Sequence, residues 1–131
     1  MTRYLDLTEV LDMVEAGGFV IRDPGLLASA VERPQMSVFG EDAYPTLLLR
    51  AGAMTQSLAG NHPLVDGNKR LTWTALRVFL LLNDQTMTYT EDQAVDFVLW
   101  AAAEHPAVDE ISMRLEQFCP TAAPLPPLRG A

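Results

Sequence analysis

At 131 residues the chain fits one domain and is long enough to bury a core without disulfide or metal staples. Its apolar fraction of 49% excludes an unfolded polar chain, and its net charge of −8 excludes nucleic acid as the main partner, because a protein that neutralises many phosphates shows a basic face. One cysteine, Cys119, rules out an internal disulfide and fits a reducing cytoplasm; it ends an apolar helical pattern and reads as packing.

The first segment shows no apolar core long enough for a signal peptide, and the longest uncharged apolar run, Phe97 to Ala103, is too short to span a bilayer. No membrane association is therefore expected. Thr8 is placed to cap a first helix that stops at Gly17-Gly18. Phe19-Val20-Ile21 reads as extended. Asp23-Pro24 is an N-cap followed by proline at the first helical position, opening a second helix that ends before Pro34. The stretch Gln35 to Tyr44 is the least helical of the interior, and Val38-Phe39-Gly40 predicts a short hairpin or flap.

A third helix is predicted from Pro45 to Gly60, and a fourth from near Gly67 to Asn83. The fourth is apolar over most of its circumference, from Leu71 and Trp73 to Leu80, Leu81 and Leu82, which is the pattern of a helix at the centre of a domain. Arg70, Thr74 and Arg77 leave it one polar stripe. Thr90-Glu-Asp-Gln93 is a capping box for a fifth helix, and Asp109 is placed to cap a sixth ending near Phe118. The sum is an all-α bundle of six short helices in a single domain over residues 1–119, with a hairpin before the third helix. Residues 120–131 contain four prolines and read as a disordered tail. The methionines, Trp73 and Trp100 read as core, and His105 before Pro106 as a helix end.

The chemistry is concentrated in His62-Pro-Leu-Val-Asp-Gly-Asn-Lys-Arg70, which leads straight into the apolar fourth helix. Lys69 is the only lysine; the other cations are arginines. His62 precedes proline, which biases it to an extended conformation outside the helix. Imidazole is the side chain suited to taking a proton from a hydroxyl near neutral pH. Asp66, just before the helix, can hold a divalent cation that bridges phosphates. Gly67 lets backbone approach a ligand. The N–H groups of Gly67, Asn68 and Lys69 lack partners within the helix and form an anion site with the helix dipole behind them. Asn68 can orient the loop or a phosphate oxygen, and Lys69 and Arg70 supply fixed positive charge. Taken singly, each has an ordinary role as loop, cap or solvated cation. Their coincidence within nine residues points to a phosphate-handling site.

These residues resemble the Fic/Doc signature His-x-Phe-x-[Asp/Glu]-[Gly/Ala]-Asn-[Gly/Lys]-Arg, and lysine at the penultimate place resembles the Doc, or death-on-curing, branch. Arg22 to Gln35, Tyr44-Pro-Thr-Leu and Phe79 to Asn83 extend the similarity to roughly residues 4 to 118. The resemblance implies a compact bundle of about six helices. It also implies a toxin of a type II toxin–antitoxin system that transfers the γ-phosphate of ATP, with Mg²⁺, to a threonine of elongation factor Tu and arrests translation. The lysine is what would exclude the usual ATP orientation. His62 would be the general base, Asp66 the Mg²⁺ ligand, and Gly67, Asn68, Lys69 and Arg70 the phosphate binders. The flap at Val38, Phe39 and Gly40 would hold the target by strand addition, and the partner would be a partly disordered, Phd-like antitoxin.

Two departures from the family pattern stand out. Leu64 occupies the place of the motif phenylalanine, a packing position whose change shifts the loop rather than removing a reactive group. The segment Met13 to Gly18 is shorter than the family's, which bears on a groove that receives an antitoxin. Ser112 and Glu116 have the spacing of an autoinhibitory helix, but Gln117 stands where that pattern needs Gly or Asn, so inhibition is expected from a separate chain. AMP transfer to a protein hydroxyl and a non-catalytic antitoxin-binding module are the alternatives.

Overall fold

The computed structural model describes residues 1–119; the expected disordered tail, 120–131, lies outside them. Among the described residues the chain forms α1 (Leu7–Gly17), α2 (Pro24–Glu32), a 3₁₀ turn (Arg33–Gln35), a hairpin of β1 (Ser37–Val38) and β2 (Glu41–Asp42), α3 (Leu47–Asn61), α4 (Asn68–Leu82), α5 (Glu91–Glu104) and α6 (Val108–Leu115). The all-α fold class and the hairpin before the third helix match the sequence reading. No described helix is long and apolar enough to cross a membrane.

The helix starts follow from side-chain oxygens that satisfy the first N–H groups. Asp23 accepts from Leu26 N (3.0 Å), Thr46 from Leu49 N (3.2 Å) and Thr90 from Gln93 N (3.2 Å), the last as a full capping box. Two expected caps are corrected. Asp6, not Thr8, opens α1: it accepts from Glu9 N (2.8 Å) while Glu9 Oε1 accepts from Asp6 N (3.0 Å), and the carboxylate pair starts the helix one residue before Thr8. Asp109 lies inside the first turn of α6. Ala107 is the cap, and Glu110 Oε1 reaches back to its N–H at 2.9 Å.

The centre of the bundle is also corrected. α4 is apolar in sequence, but Leu81 is exposed and Val78 and Leu82 are only half-buried. The helix that touches α2, α4, α5 and α6 is α3. Residues 51 to 55 of α3 are all buried, on every side of the helix. Small residues make this possible: a Cβ on Gly52 would lie 2.9 Å from Val108 O, so α6 approaches to backbone contact there. Low side-chain volume hides such a helix from a hydropathy reading, because its centrality comes from close approach rather than from apolar bulk.

Trp73 packs edge-on against Tyr89, Phe97 and Phe118, with ring centroids 4.9, 5.8 and 5.9 Å away, and so belongs to the aromatic core between α4 and α5. Trp100 lies under the Arg114 guanidinium at 4.2 Å. Cys119 is buried, and burial pushes its thiol up to about 11, which fits an inert packing role.

Candidate active site

The motif joins the C-terminus of α3 to the N-terminus of α4. His62 is the C-cap of α3 with φ 51° and ψ 62°, a left-handed conformation rather than the extended one expected before proline. The steric rule disfavours the right-handed helical region for such a residue. The left-handed region remains open to it, and it ends α3 abruptly. His62 is exposed, and among the described residues its ring makes no hydrogen bond. Gly67 is the N-cap of α4 at φ 90°, where a side chain is strained. The first bond within α4 runs from Leu71 N to Gly67 O (2.9 Å), so the N–H groups of Asn68, Lys69 and Arg70 have no intrahelical acceptor.

Asp66 is exposed; its Oδ1 accepts from Gly67 N at 2.8 Å, which leaves Oδ2 free of described partners. The side chain of Asn68 is committed to the loop: Oδ1 accepts from Leu64 N (2.9 Å) and Nδ2 donates to Leu64 O (3.0 Å). Of the two roles weighed for Asn68, its amide carries the loop-orienting one, and its backbone N–H stays available to an anion. Lys69 and Arg70 are exposed. Leu64 is 1% exposed, so the residue in the place of the motif phenylalanine packs in the core.

A short extended segment crosses this loop. Ile21 pairs with Leu64 in an antiparallel bridge, Val65 N donates to Val20 O (2.9 Å), and Arg22 N and Asp23 N both donate to Pro63 O (2.8 and 3.0 Å). The Arg22 guanidinium donates from Nε to His62 O (2.8 Å) and from Nη2 to Asn61 O (3.0 Å). The Phe19 ring covers Gly67 so closely that a Cβ there would lie 2.4 Å from two ring carbons. Gly67 is thus required by Phe19 as well as by its own φ. Arg70 sits over the same ring at 5.7 Å. Phe19 and Arg22 were missed as site residues. Their only signal was an extended apolar triplet followed by a lone cation between two helices.

Two concavities meet the motif. A cavity of about 420 Å³ is lined by Gly18, Phe19, Asp66, Gly67 and Arg70 among others. A groove of about 1020 Å³ runs between α1, α4 and α5, with Met13, Val95, Val98 and Leu99 along it and Lys69 and Arg70 at its edge. Among the described residues no group of three or more His, Cys, Asp or Glu side chains could form an all-protein metal cage. A single open carboxylate next to an anion site suits instead a Mg²⁺ held jointly with phosphates.

The flap hangs from the helix that ends in His62. Arg33, before the hairpin, donates to Ala53 O (3.1 Å), Ser57 Oγ (2.9 Å) and Tyr44 OH (3.0 Å), and Arg50 of α3 pairs with Asp42 of β2 at 3.1 Å. Phe39 and Gly40 form the turn at φ 52° and 80°, as a two-residue turn of this hand requires. Phe39 is fully exposed there, and Val38 half so.

The profile of the Fic/DOC family matches residues 3–80, from before α1 to near the end of α4. A protein of Mycolicibacterium smegmatis named Toxin Doc is 42% identical over 127 residues, covering 93% of this chain and 98% of that protein. The chain belongs to the Fic/Doc family, in its Doc branch. Members of the Fic/Doc family are enzymes that transfer groups to proteins. The Doc relative also spans α5 and α6, which the family profile leaves out.

Proposed function

We propose that this Doc-branch protein, a toxin of a toxin–antitoxin pair, transfers the γ-phosphoryl group of ATP to a threonine hydroxyl of elongation factor Tu and so arrests translation. The observation that supports it most is the α4 N-terminus, where three unpartnered N–H groups, Lys69 and Arg70 converge beside one free carboxylate oxygen of Asp66. Bound ATP with Mg²⁺ would supply the transferable phosphoryl group and neutralise its charge. His62 takes the proton of the attacking hydroxyl as its oxygen bonds to phosphorus and the bond to ADP breaks. Asp66 would hold the cation, while the N–H groups of Asn68, Lys69 and Arg70, with the Lys69 and Arg70 side chains, hold phosphate oxygens. The Gly67 N–H is taken by Asp66 Oδ1, so Gly67 contributes the close backbone approach instead. The flap, with Val38, Phe39 and Gly40 at its tip, adds an edge to an extended target segment.

The apolar groove between α1, α4 and α5 fits one face of an amphipathic antitoxin helix, with acidic residues of that helix meeting Lys69 and Arg70. Transfer to purified elongation factor Tu from ATP labelled on the γ-phosphate, set beside ATP labelled on the α-phosphate, tests the reading. Label from the γ position alone is expected. Label from the α position would make the reaction AMP transfer, and no label from either would remove this target.

A further inference from the structure

Three consecutive carbonyls at the end of α3 are held by one residue. Arg22 donates from Nη2 to Asn61 O (3.0 Å), from Nε to His62 O (2.8 Å) and from its own backbone N–H to Pro63 O (2.8 Å). The last carbonyls of a helix have no partners within it, and His62 keeps a left-handed conformation that an L-residue adopts only at a cost of about 1 kcal/mol or more. Something must hold it there. A guanidinium fork fixes directions as well as charge, because its donors lie in one rigid plane. Two of those donors meet adjacent peptide groups, one on each side of the His62 Cα, and so fix the direction of its Cβ. The backbone of Arg22 is itself anchored by the bridge from Ile21 to Leu64 and by Asp23, which caps α2. The clamp therefore ties His62 to a second helix.

We infer that Arg22 is a positioning residue for His62: it touches no reacting group, and it sets the orientation from which the imidazole reaches the target hydroxyl. The inference rests on the reading of His62 as the general base. The chain's other histidine supplies an internal reference. His105 ends α5 in the same left-handed conformation, at φ 48°, and also precedes a proline, but among the described residues no arginine donates to its carbonyl or to that of Glu104.

Side-chain NMR of the two histidines in the full-length protein reads the clamp without needing a substrate. In Arg22→Ala the His62 ring signals are expected to shift and broaden, while those of His105 keep their positions. Unchanged His62 signals would overturn the inference. Should Arg22→Ala not fold, Arg22→Lys carries the same test, since one ammonium cannot reproduce the fork. In the transfer assay Arg22→Ala is expected to lower kcat about 10- to 100-fold with KM for ATP nearly unchanged, and millimolar guanidinium is expected to restore part of it. A rise in KM with kcat intact, or full activity, would also overturn it. Failure of the function reading looks different: His62→Ala would then transfer as well as the wild type, whatever the NMR of the Arg22 variants shows.

Discussion

The chain uses the dipeptide His-Pro twice, at His62-Pro63 and at His105-Pro106, and both histidines end a helix with a left-handed backbone. At the α5 end the next residue, Ala107, directly caps α6, with Glu110 closing onto its N–H. At the α3 end the loop continues through Asp66 and Gly67 to a helix start without a side-chain cap, and an extended segment from Phe19 to Asp23 crosses it. The same local chemistry thus gives a plain turn in one place and a candidate active site in the other. The difference lies in the residues after each dipeptide and in the segment that crosses only one of the two loops. Neither helix start has a side-chain cap, but the open N–H groups of α6 stand beside Asp109 and Glu110, which repel an anion, whereas those of α4 stand beside Lys69 and Arg70, which attract one.

The contrast between the two ends breaks most sharply on activity. His62→Ala is expected to reduce target transfer about 10²- to 10⁴-fold, as loss of a general base does, with a circular-dichroism melt close to wild type. His105→Ala is expected to keep transfer near wild type, and an equal loss in both variants would erase the distinction between the two ends. Glycine substitutions come next. Gly67→Ala combines a φ of 90° with a Cβ 2.4 Å from Phe19, so a loss of about 2 kcal/mol or more is expected in urea unfolding. Gly60→Ala, inside α3 and 3.5 Å from His105 Nδ1, is expected to be neutral or to stabilise by up to about 1 kcal/mol. If Gly67→Ala were as mild, the segment from Phe19 would not be holding the loop.

Much of the fold was legible in the sequence because it is local. The caps at Asp23 and Thr90, the hairpin turn at Phe39-Gly40 and the helix stop at Gly18 arise from residue types that satisfy backbone groups or tolerate positive φ. The motif was legible for the same reason, since its residues are contiguous. Long-range relations could not be read. α3 is central because glycine and alanine let other helices come close, and apolar bulk drew attention to α4 instead. Phe19 and Arg22 are more than 38 residues from the loop they hold, and nothing in their own segment announces it. Asn68 offered two roles until its amide was seen spanning Leu64.

Two smaller effects sharpen the picture. Asn68→Ala removes both bonds to Leu64 and is expected to cost about 1–2 kcal/mol, read as a lowered denaturation midpoint. Asn68→Asp keeps only the acceptor and should fall between. Cys119 is the mildest case. With its folded value raised to about 11 from an ordinary 9, the folded state favours the neutral thiol. Its stabilising share is complete below about pH 9 and is lost as pH rises through 11. Thiol alkylation at neutral pH is therefore expected to be slow in the folded protein and fast in denaturant.

The most direct test of the central claim is the mass of the target. Elongation factor Tu incubated with ATP, Mg²⁺ and the wild-type protein is expected to gain a single phosphoryl group on a threonine, to gain it equally with His105→Ala, and to gain nothing measurable with His62→Ala. An adenylyl adduct, or a phosphoryl adduct that survives His62→Ala, would contradict the account.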